Sequence, residues 1–465
     1  MRMDKSKKKR SVHWPWTGVL GLLLFTNLSY GSTHQVVTLD NGLDLVTLEV
    51  RKVPLVTIVL TAKAGAFSEK PETNGLTHLW EHMFFKGNAA IPNQEAFREK
   101  IRDLGIIYNG DTSAELVRYY FTLPSAFLRE GLEFMYQAIA TPLIDQAELE
   151  RERHVVLDEY DRNASQTGFE LYRARQKMIY GDLAYLRNPL GERSIIEGAS
   201  RQALMQIKDD VFVPKNSAIV LAGDFDTAEA QKLVKTIFQS WQNPKDWKAI
   251  EAPPLPPFPA KAPQIIKTHP QARNINIGFV FEGPLAKKQA EKAYVADVLT
   301  GLVNHRLSHF TKKFVDSGLT YGAGFGYLTQ SQAGELALNA VTSRDHFQEV
   351  LAELKKEPAL WAEEGIFTEE QLADVRRSLK IQRAFEENRP SEYVKSLAFW
   401  WAVTGLDFYD QYIDRLSQVS LSTVRDFVRQ YLKEKPSVNT ILMSPQDAKT
   451  LGLVVDEAKS EGTKK

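Results

Sequence analysis

Residues 78–82 read His78-Leu79-Trp80-Glu81-His82, and this pentad decides how the chain is interpreted. Side chains three and four positions apart share one face of an α-helix, so a helix here places two imidazoles and one carboxylate together. Imidazoles are common ligands of zinc, and a carboxylate beside them is suited to take a proton from water. The pentad therefore predicts a catalytic zinc centre on a helix, with Leu79 and Trp80 pointing into the protein.

A catalytic zinc ion takes three protein ligands and keeps one position open, so the pentad needs a third ligand. Residues 152–159 carry Glu152 and Glu159 seven positions apart, which is two turns along one helical stripe. We expect Glu159 to be the third ligand and Glu152 to orient a ligand or the water. Glutamates at this spacing are usually a solvated helix face, so the assignment depends on the pentad. We expect His154, between them, at the surface or behind the ligands.

The order H-x-x-E-H reverses the commoner H-E-x-x-H and is the signature of the inverzincins. The flanks Asn74-Gly75-Leu76-Thr77 and Met83-Phe84-Phe85-Lys86-Gly87 resemble the pitrilysin, insulysin and mitochondrial-processing-peptidase family, in particular its bacterial half-length members. Segments at 109–112, 214–216 and 222–226 follow in the family's order. The resemblance therefore covers nearly the whole chain after its first 35 residues.

The resemblance implies both a fold and a reaction. The fold would be α+β, with two similar domains that each pack a mostly antiparallel sheet against helices and form one half of a clamshell. The reaction would be endopeptidase cleavage of peptides or unfolded segments by a zinc-activated water, with Glu81 as general base. His78, His82 and Glu159 would hold one Zn(2+) per chain, with Glu152 behind them.

The segment Tyr108-Asn109-Gly110-Asp111-Thr112 lies where the family has a strand edge that holds the substrate backbone. Its glycine permits close backbone approach, so an extended peptide could add to this edge as a further strand. The ordinary interpretation of the same residues is a turn between strands. The resemblance favours substrate binding by Asn109, Gly110, Asp111 and Thr112.

One position in the second half departs from the family. Peptidase members carry R-x-x-x-G-L-x-Y, in which the arginine and the tyrosine contact the substrate and the tetrahedral intermediate. This chain keeps the tyrosine as Tyr321, where it would stabilise the oxyanion, but has Phe314 at the arginine position. Either Lys312 or Lys313 replaces the arginine, although lysine is a poor substitute for a bidentate arginine, or a sister chain supplies it.

Charge and length bear on the partners. The chain has 58 basic and 58 acidic residues, and this balance does not favour a nucleic-acid partner. Its length of 465 residues allows two to three domains.

Half of a clamshell leaves its site open, so we expect a homodimer or a heterodimer with a sister half-length subunit. A different class of function stays open, that of a zinc-binding, non-cleaving structural or chaperone-like subunit of a larger complex.

Residues 1–31 are typical of a signal peptide. A basic segment at 5–10 precedes a short apolar core at 19–25 and the small-residue site Ser29-Tyr30-Gly31. The core is too short to span a bilayer, so we expect a periplasmic or secreted protein with no stable membrane span after cleavage; an uncleaved signal anchor is the alternative. The chain has no cysteine, which excludes disulfides and thiolate zinc sites.

Six prolines between residues 252 and 263 predict an extended, semi-rigid linker. It would separate a zinc-bearing domain at 32–251 from a similar domain without metal at 264–455, followed by a polar tail at 456–465. The second domain contains another histidine pair, His305 and His309, but no carboxylate lies between them to serve as base, so a helix surface is the simpler account.

Hydrophobic periodicity predicts the same strand-then-helix order in both halves. The predicted strands are 36–39, 43–46, 55–62, a pair within 107–123, 274–281 and 335–341, and the predicted helices are 92–104, 125–139, 284–308 and 345–362.

Overall fold

Two β-sheets organise the chain, one in each half of the sequence. The computed structural model describes residues 34–456, so the predicted signal peptide and residues 457–465 of the predicted tail lie outside the described residues. The strands are β1 (Gln35–Thr38), β2 (Asp44–Glu49), β3 (Leu55–Ala62), β4 (Ile107–Thr112), β5 (Val117–Pro124), β6 (Ser217–Gly223), β7 (Gln264–Thr268), β8 (Ile275–Glu282), β9 (Gly322–Leu328), β10 (Glu335–Thr342) and β11 (Val438–Met443).

Helices fill the connections between these strands. They are α1 (Leu76–Phe84), α2 (Gln94–Asp103), α3 (Leu128–Ala140), α4 (Gln146–Ala164), α5 (Phe169–Tyr180), α6 (Arg193–Glu197), α7 (Arg201–Val211), α8 (Thr227–Phe238), α9 (Ala290–Val303), α10 (His309–Thr311), α11 (Phe347–Leu354), α12 (Glu357–Leu360), α13 (Glu369–Glu387), α14 (Pro390–Val403), α15 (Leu406–Gln418), α16 (Leu421–Tyr431) and α17 (Pro445–Thr450). A π-helical turn, Lys312–Asp316, follows α10.

The second sheet repeats the first. Sheet 1 has the order β1-β2-β6-β3-β5-β4, and sheet 2 has the order β7-β11-β8-β10-β9. Each sheet contains one parallel pair, β2 with β6 and β7 with β11, and its other pairs are antiparallel. The predicted α+β fold with two similar, mostly antiparallel sheets is therefore confirmed, and β4 and β9 occupy equivalent edges.

Each sheet is covered on one face by helices of its own half and on the other face by a helix from the other half. Sheet 1 packs Val46 and Val59 against Leu397 of α14. Sheet 2 packs Val438 against Ile179 of α5 and its neighbours. Because apolar faces on both sides of a sheet must be buried, this exchange joins the described residues into one compact unit.

Most predicted elements are present, with two changes of length. The hairpin of β1 and β2 turns at Gly42, whose φ of 89° favours glycine. The predicted helix 284–308 is shorter, as α9, and the predicted helix 345–362 is divided into α11 and α12, where Pro358 in the first turn of α12 lacks an N–H to continue α11. Residues 252–263 form no helix or strand.

Asp456, the first residue of the predicted tail, is attached to sheet 2. Its backbone N–H donates to Ile266 and its carboxylate accepts from the backbone N–H of the same residue at 2.7 Å. Between residues 34 and 456, none of the helices has the length and apolar character needed to cross a bilayer.

Candidate metal centre

Helix α1 presents the pentad as the sequence predicts. Leu79 and Trp80 are fully buried, and Trp80 stacks on Phe212 with ring centroids 5.5 Å apart. The opposite face of the helix holds His78 and His82, whose rings meet edge to face. The prediction that the apolar pair points inward and the imidazoles share a face is confirmed by this packing.

Helix α4 brings the two glutamates beside α1. Asp145 caps its first turn by accepting from the N–H groups of Ala147 and Glu148, which fixes where the helix begins. Glu152 and Glu159 lie on one stripe of α4 because they are separated by two turns. Their contacts with His82 and His78 show that this stripe faces α1.

One imidazole nitrogen from each histidine and one oxygen of Glu159 converge. Oε2 of Glu159 lies 3.6 Å from Nε2 of His78 and 3.8 Å from Nε2 of His82, and the three ligand atoms lie within 4.8 Å of one another. A tetrahedral ion with zinc–ligand bonds of about 2.0 Å separates neighbouring ligand atoms by about 3.3 Å. The three residues therefore fit a zinc ion with one open position.

Glu152 fixes the orientation of His82 from behind. Its Oε2 lies 3.1 Å from Nδ1 of His82, and its Oε1 lies 2.6 Å from Nζ of Lys86. A proton on Nδ1 leaves the lone pair of Nε2 free to face Glu159. Lys86 was not predicted as part of the site, and it lies two residues beyond the end of α1 at Phe84.

Glu81 lies between the histidines and strand β4. Its side chain is 8% exposed, and Oγ1 of Thr112 donates to its Oε2 at 2.9 Å. Burial raises the pKa of the Glu81 carboxyl to about 7, so the group changes protonation near neutral pH. A buried carboxylate with this property can accept a proton and return it.

Electrostatics distinguish the two histidines. Burial, assisted by the charge of His82, lowers the pKa of His78 to about 3, so its imidazole is neutral and able to bind a cation. Burial alone would also lower the pKa of His82, but the hydrogen bond to Glu152 and the nearby charges of Glu81 and Glu159 raise it overall.

Strand β4 forms the open edge of sheet 1, so the interpretation of residues 108–112 as a turn is wrong. Gly110 and Thr112 face Glu81, and a Cβ added to Gly110 would lie 2.6 Å from Oε1 of Glu81. Asp111 instead binds Arg118, at 2.8 Å and 3.0 Å. Asn109 accepts a hydrogen bond from the N–H of Gly110. The four predicted substrate residues thus divide between the two faces of one strand.

The residues predicted in the second half lie in different surroundings. Tyr321 is 67% exposed just before β9, and among residues 34–456 its hydroxyl has no hydrogen-bond partner. Phe314 is fully buried in the π-helical turn and packs on Phe310, with ring centroids 4.8 Å apart. Lys313 pairs with Glu353, whereas Lys312 is exposed. The buried position 314 is therefore not available for a residue that acts like the family's arginine. Of the two lysines, Lys312 is the one without an ion-pair partner among residues 34–456.

His305 and His309 do not form a second metal site. Nε2 of His305 lies 3.6 Å from Asp374, and Nε2 of His309 lies 3.7 Å from Glu357, so the pair faces two different carboxylates. Within the part of the chain that the structure describes, the grouping of potential metal ligands is confined to the pentad and Glu159. His154 is exposed on α4.

Family models match both halves of the chain. Residues 45–185 match Insulinase (Peptidase family M16), and residues 198–379 match the Peptidase M16 inactive domain. The chain belongs to peptidase family M16. This M16 chain is 24% identical to zinc protease PqqE of Helicobacter pylori, across 88% of its own length and 89% of that protein. It is 23% identical to zinc protease YmxG of Bacillus subtilis, across 85% of its own length and 95% of that protein.

Solved structures share the fold of the M16 chain. A protease from Helicobacter pylori has a TM-score of 0.79 at 20% identity, covering 89% of the M16 chain and 100% of that protein. The first half of the periplasmic protease PqqL from Escherichia coli has a TM-score of 0.73 at 20% identity, covering 90% and 93%. Against the whole of PqqL the match covers 92% of this chain and 51% of that protein, so the M16 chain corresponds in fold to one half of it.

Proposed function

We propose that this chain is a zinc metalloendopeptidase that cleaves peptides or unfolded protein segments. The observation that carries the proposal is the convergence of His78, His82 and Glu159, with Glu81 held beside them by Thr112. In this arrangement the three converging residues would hold zinc, and Glu81 is the general base. The family's relatives named zinc proteases support the same assignment.

The roles of the residues follow from their positions. Bound zinc would supply Lewis-acid chemistry, which polarises the substrate carbonyl and acidifies a water molecule. Glu81 takes the proton of the attacking water and delivers it to the leaving amine, because its carboxyl lies close to His82 and Glu159 and faces strand β4. Glu152 holds His82 in the tautomer that binds a cation through Nε2.

The open edge of β4 is the proposed substrate site. Among residues 34–456 no strand pairs with its outer side, so an extended peptide could add there and would then run past Glu81. Gly110 and Thr112 adjoin the general base directly, so they set the distance between that peptide and the carboxylate. Asn109 and Asp111 would contact substrate side chains on the opposite face.

Pairing of two half-length chains completes the proposal. Tyr321 is exposed and Phe314 is buried, so oxyanion stabilisation by Tyr321 and an arginine contact require approach of another surface. We propose a homodimer or a heterodimer with a sister subunit, in the periplasm or outside the cell, since PqqL is periplasmic and residues 1–31 resemble a signal peptide.

The burial of Phe314 specifically favours a second candidate. A chain that holds zinc but lacks the arginine position would serve as a non-cleaving structural or chaperone-like subunit of a larger complex.

The test uses the mature chain with a library of unfolded peptides. We expect cleavage that stops with a chelator and returns with zinc, and a Glu81→Gln variant that still binds zinc but does not cleave. The matched control is Glu150→Gln, because Glu150 is an exposed glutamate on α4. Cleavage that survives zinc removal would refute the zinc-dependent mechanism, and an active Glu81→Gln variant would refute Glu81 as the general base. Zinc binding without cleavage in the wild type would favour the second candidate.

A further inference from the structure

The first turn of helix α1 has no cap of its own. Its N-cap residue is Gly75, with φ of 97° and no side chain to accept from the free N–H groups of the turn. A larger residue does not fit there, because a Cβ on Gly75 would lie 2.6 Å from Cα of Gly191. The acceptors for this turn must therefore come from elsewhere in the chain.

Glu69 supplies those acceptors from a loop that precedes the helix. Its side chain is 4% exposed. Oε1 accepts from the backbone N–H of Thr77 at 2.8 Å, and Oε2 accepts from the backbone N–H of Gly75 at 2.9 Å. A buried carboxylate at the positive end of a helix also complements the helix dipole.

Asn74 extends this contact to a second segment. Its Nδ2 donates to Oε2 of Glu69 at 2.9 Å, to the carbonyl of Asn188 at 3.0 Å and to the carbonyl of Tyr185 at 3.2 Å. The start of α1 is thereby attached to the chain that follows α5, which limits how the helix can shift along its axis.

The two histidines depend on the helix to different degrees. His82 is held directly by Glu152, whereas Nδ1 of His78 is buried and has no hydrogen-bond partner among the described residues. His78 also lies in the first turn of α1, next to Thr77. The backbone of the first turn therefore determines the position of the His78 imidazole, and the hydrogen bonds to Glu69 fix that backbone.

We propose that Glu69 is a positioning residue of the metal centre: its buried carboxylate keeps His78 in register with His82 and Glu159 without contacting any of them. The inference rests on the proposed zinc-binding function. It adds a residue outside the pentad whose loss weakens zinc binding through the geometry of α1.

The test compares Glu69→Ala and Glu69→Gln with Glu72→Gln, since Glu72 is an exposed glutamate in the next turn. Zinc dissociation constants are measured on the full mature chain by competition with a chromogenic chelator. We expect zinc binding about 10- to 100-fold weaker in Glu69→Ala, the range for partners behind metal ligands, and a smaller loss in Glu69→Gln, which keeps one acceptor oxygen. Glu72→Gln should match the wild type.

Two further readouts separate positioning from general destabilisation. Amide hydrogen exchange at Thr77 should speed up in Glu69→Ala while exchange in sheet 2 stays unchanged, and excess zinc should restore cleavage. A folded Glu69→Ala variant with wild-type zinc affinity would overturn the inference. If Glu69→Ala does not fold, wild-type zinc affinity in Glu69→Gln would overturn it instead. A wild type that binds no zinc would instead refute the proposed function, while exchange at Thr77 would still test the contact with Glu69.

Discussion

Glu81→Gln should make the metal-free protein more stable at the same time as it abolishes cleavage. Burial raises the pKa of Glu81 from 4.5 to about 7, so above neutral pH the folded state carries an ionised carboxylate that would prefer water. This difference in pKa between the unfolded and the folded chain corresponds to about 3 kcal/mol of unfolding free energy. Glutamine is neutral at every pH and can still accept the hydrogen bond from Thr112, so it avoids this cost.

The direction of the pKa change fixes the pH range. Because the pKa of Glu81 is higher in the folded chain than in the unfolded chain, the folded state keeps its proton while the unfolded state loses it. The wild type therefore loses stability as the pH rises from 4.5 toward 7, and the loss is complete above that range. Below pH 4.5 the two proteins should unfold alike.

Calorimetry in the presence of a chelator measures the effect. We expect Glu81→Gln to exceed the wild type by about 3 °C in Tm at pH 8, given the unfolding entropy of a unit of this size, and by nothing measurable at pH 4. Zinc should narrow the gap at pH 8, because a cation stabilises the wild-type carboxylate. An equal difference in Tm at both pH values, or no difference at pH 8, would refute the account of Glu81 as a carboxylate destabilised by burial.

Two other substitutions test the surroundings of the site. Gly110→Val should lower kcat on the order of 100-fold with unchanged zinc affinity, because its Cβ would displace Glu81. Ile107→Val, at an exposed position at the start of β4, is the control, and equal effects would contradict this geometry. Phe314→Arg should lower the unfolding free energy by about 4 kcal/mol, since it buries an unpaired charge, and denaturant titrations measure this loss. A stable variant with raised kcat would instead show that position 314 reaches the substrate.

The grouping of His78, His82 and Glu159 could be predicted from the sequence because it depends on helical periodicity. The spacing of His78 and His82 and the two-turn spacing of Glu152 and Glu159 each put side chains on one face, whatever the surrounding fold. The edge strand at Gly110 needed the structure, since a glycine flanked by polar residues is equally typical of a turn.

Glu69 could not be predicted in the same way. It lies in a loop without periodicity, and its partners are backbone N–H groups six to eight residues ahead, which carry no residue signature. Phe314 shows the reverse case. Its position in the motif was readable, but its burial depends on the π-helical turn and on Phe310, neither of which the motif encodes.

The proline-rich segment at 252–263 suggests two domains that only a linker joins, and the packing of the helices argues for a closer dependence. Val59 of sheet 1 is buried under α14 from the second half, and Val438 of sheet 2 is buried beside α5 from the first half. Separating the halves would expose both apolar faces to water, so each sheet needs the other half to complete its core. The group formed by His78, His82 and Glu159 in the first half therefore depends on residues of the second half for stability, although none of them belongs to that group.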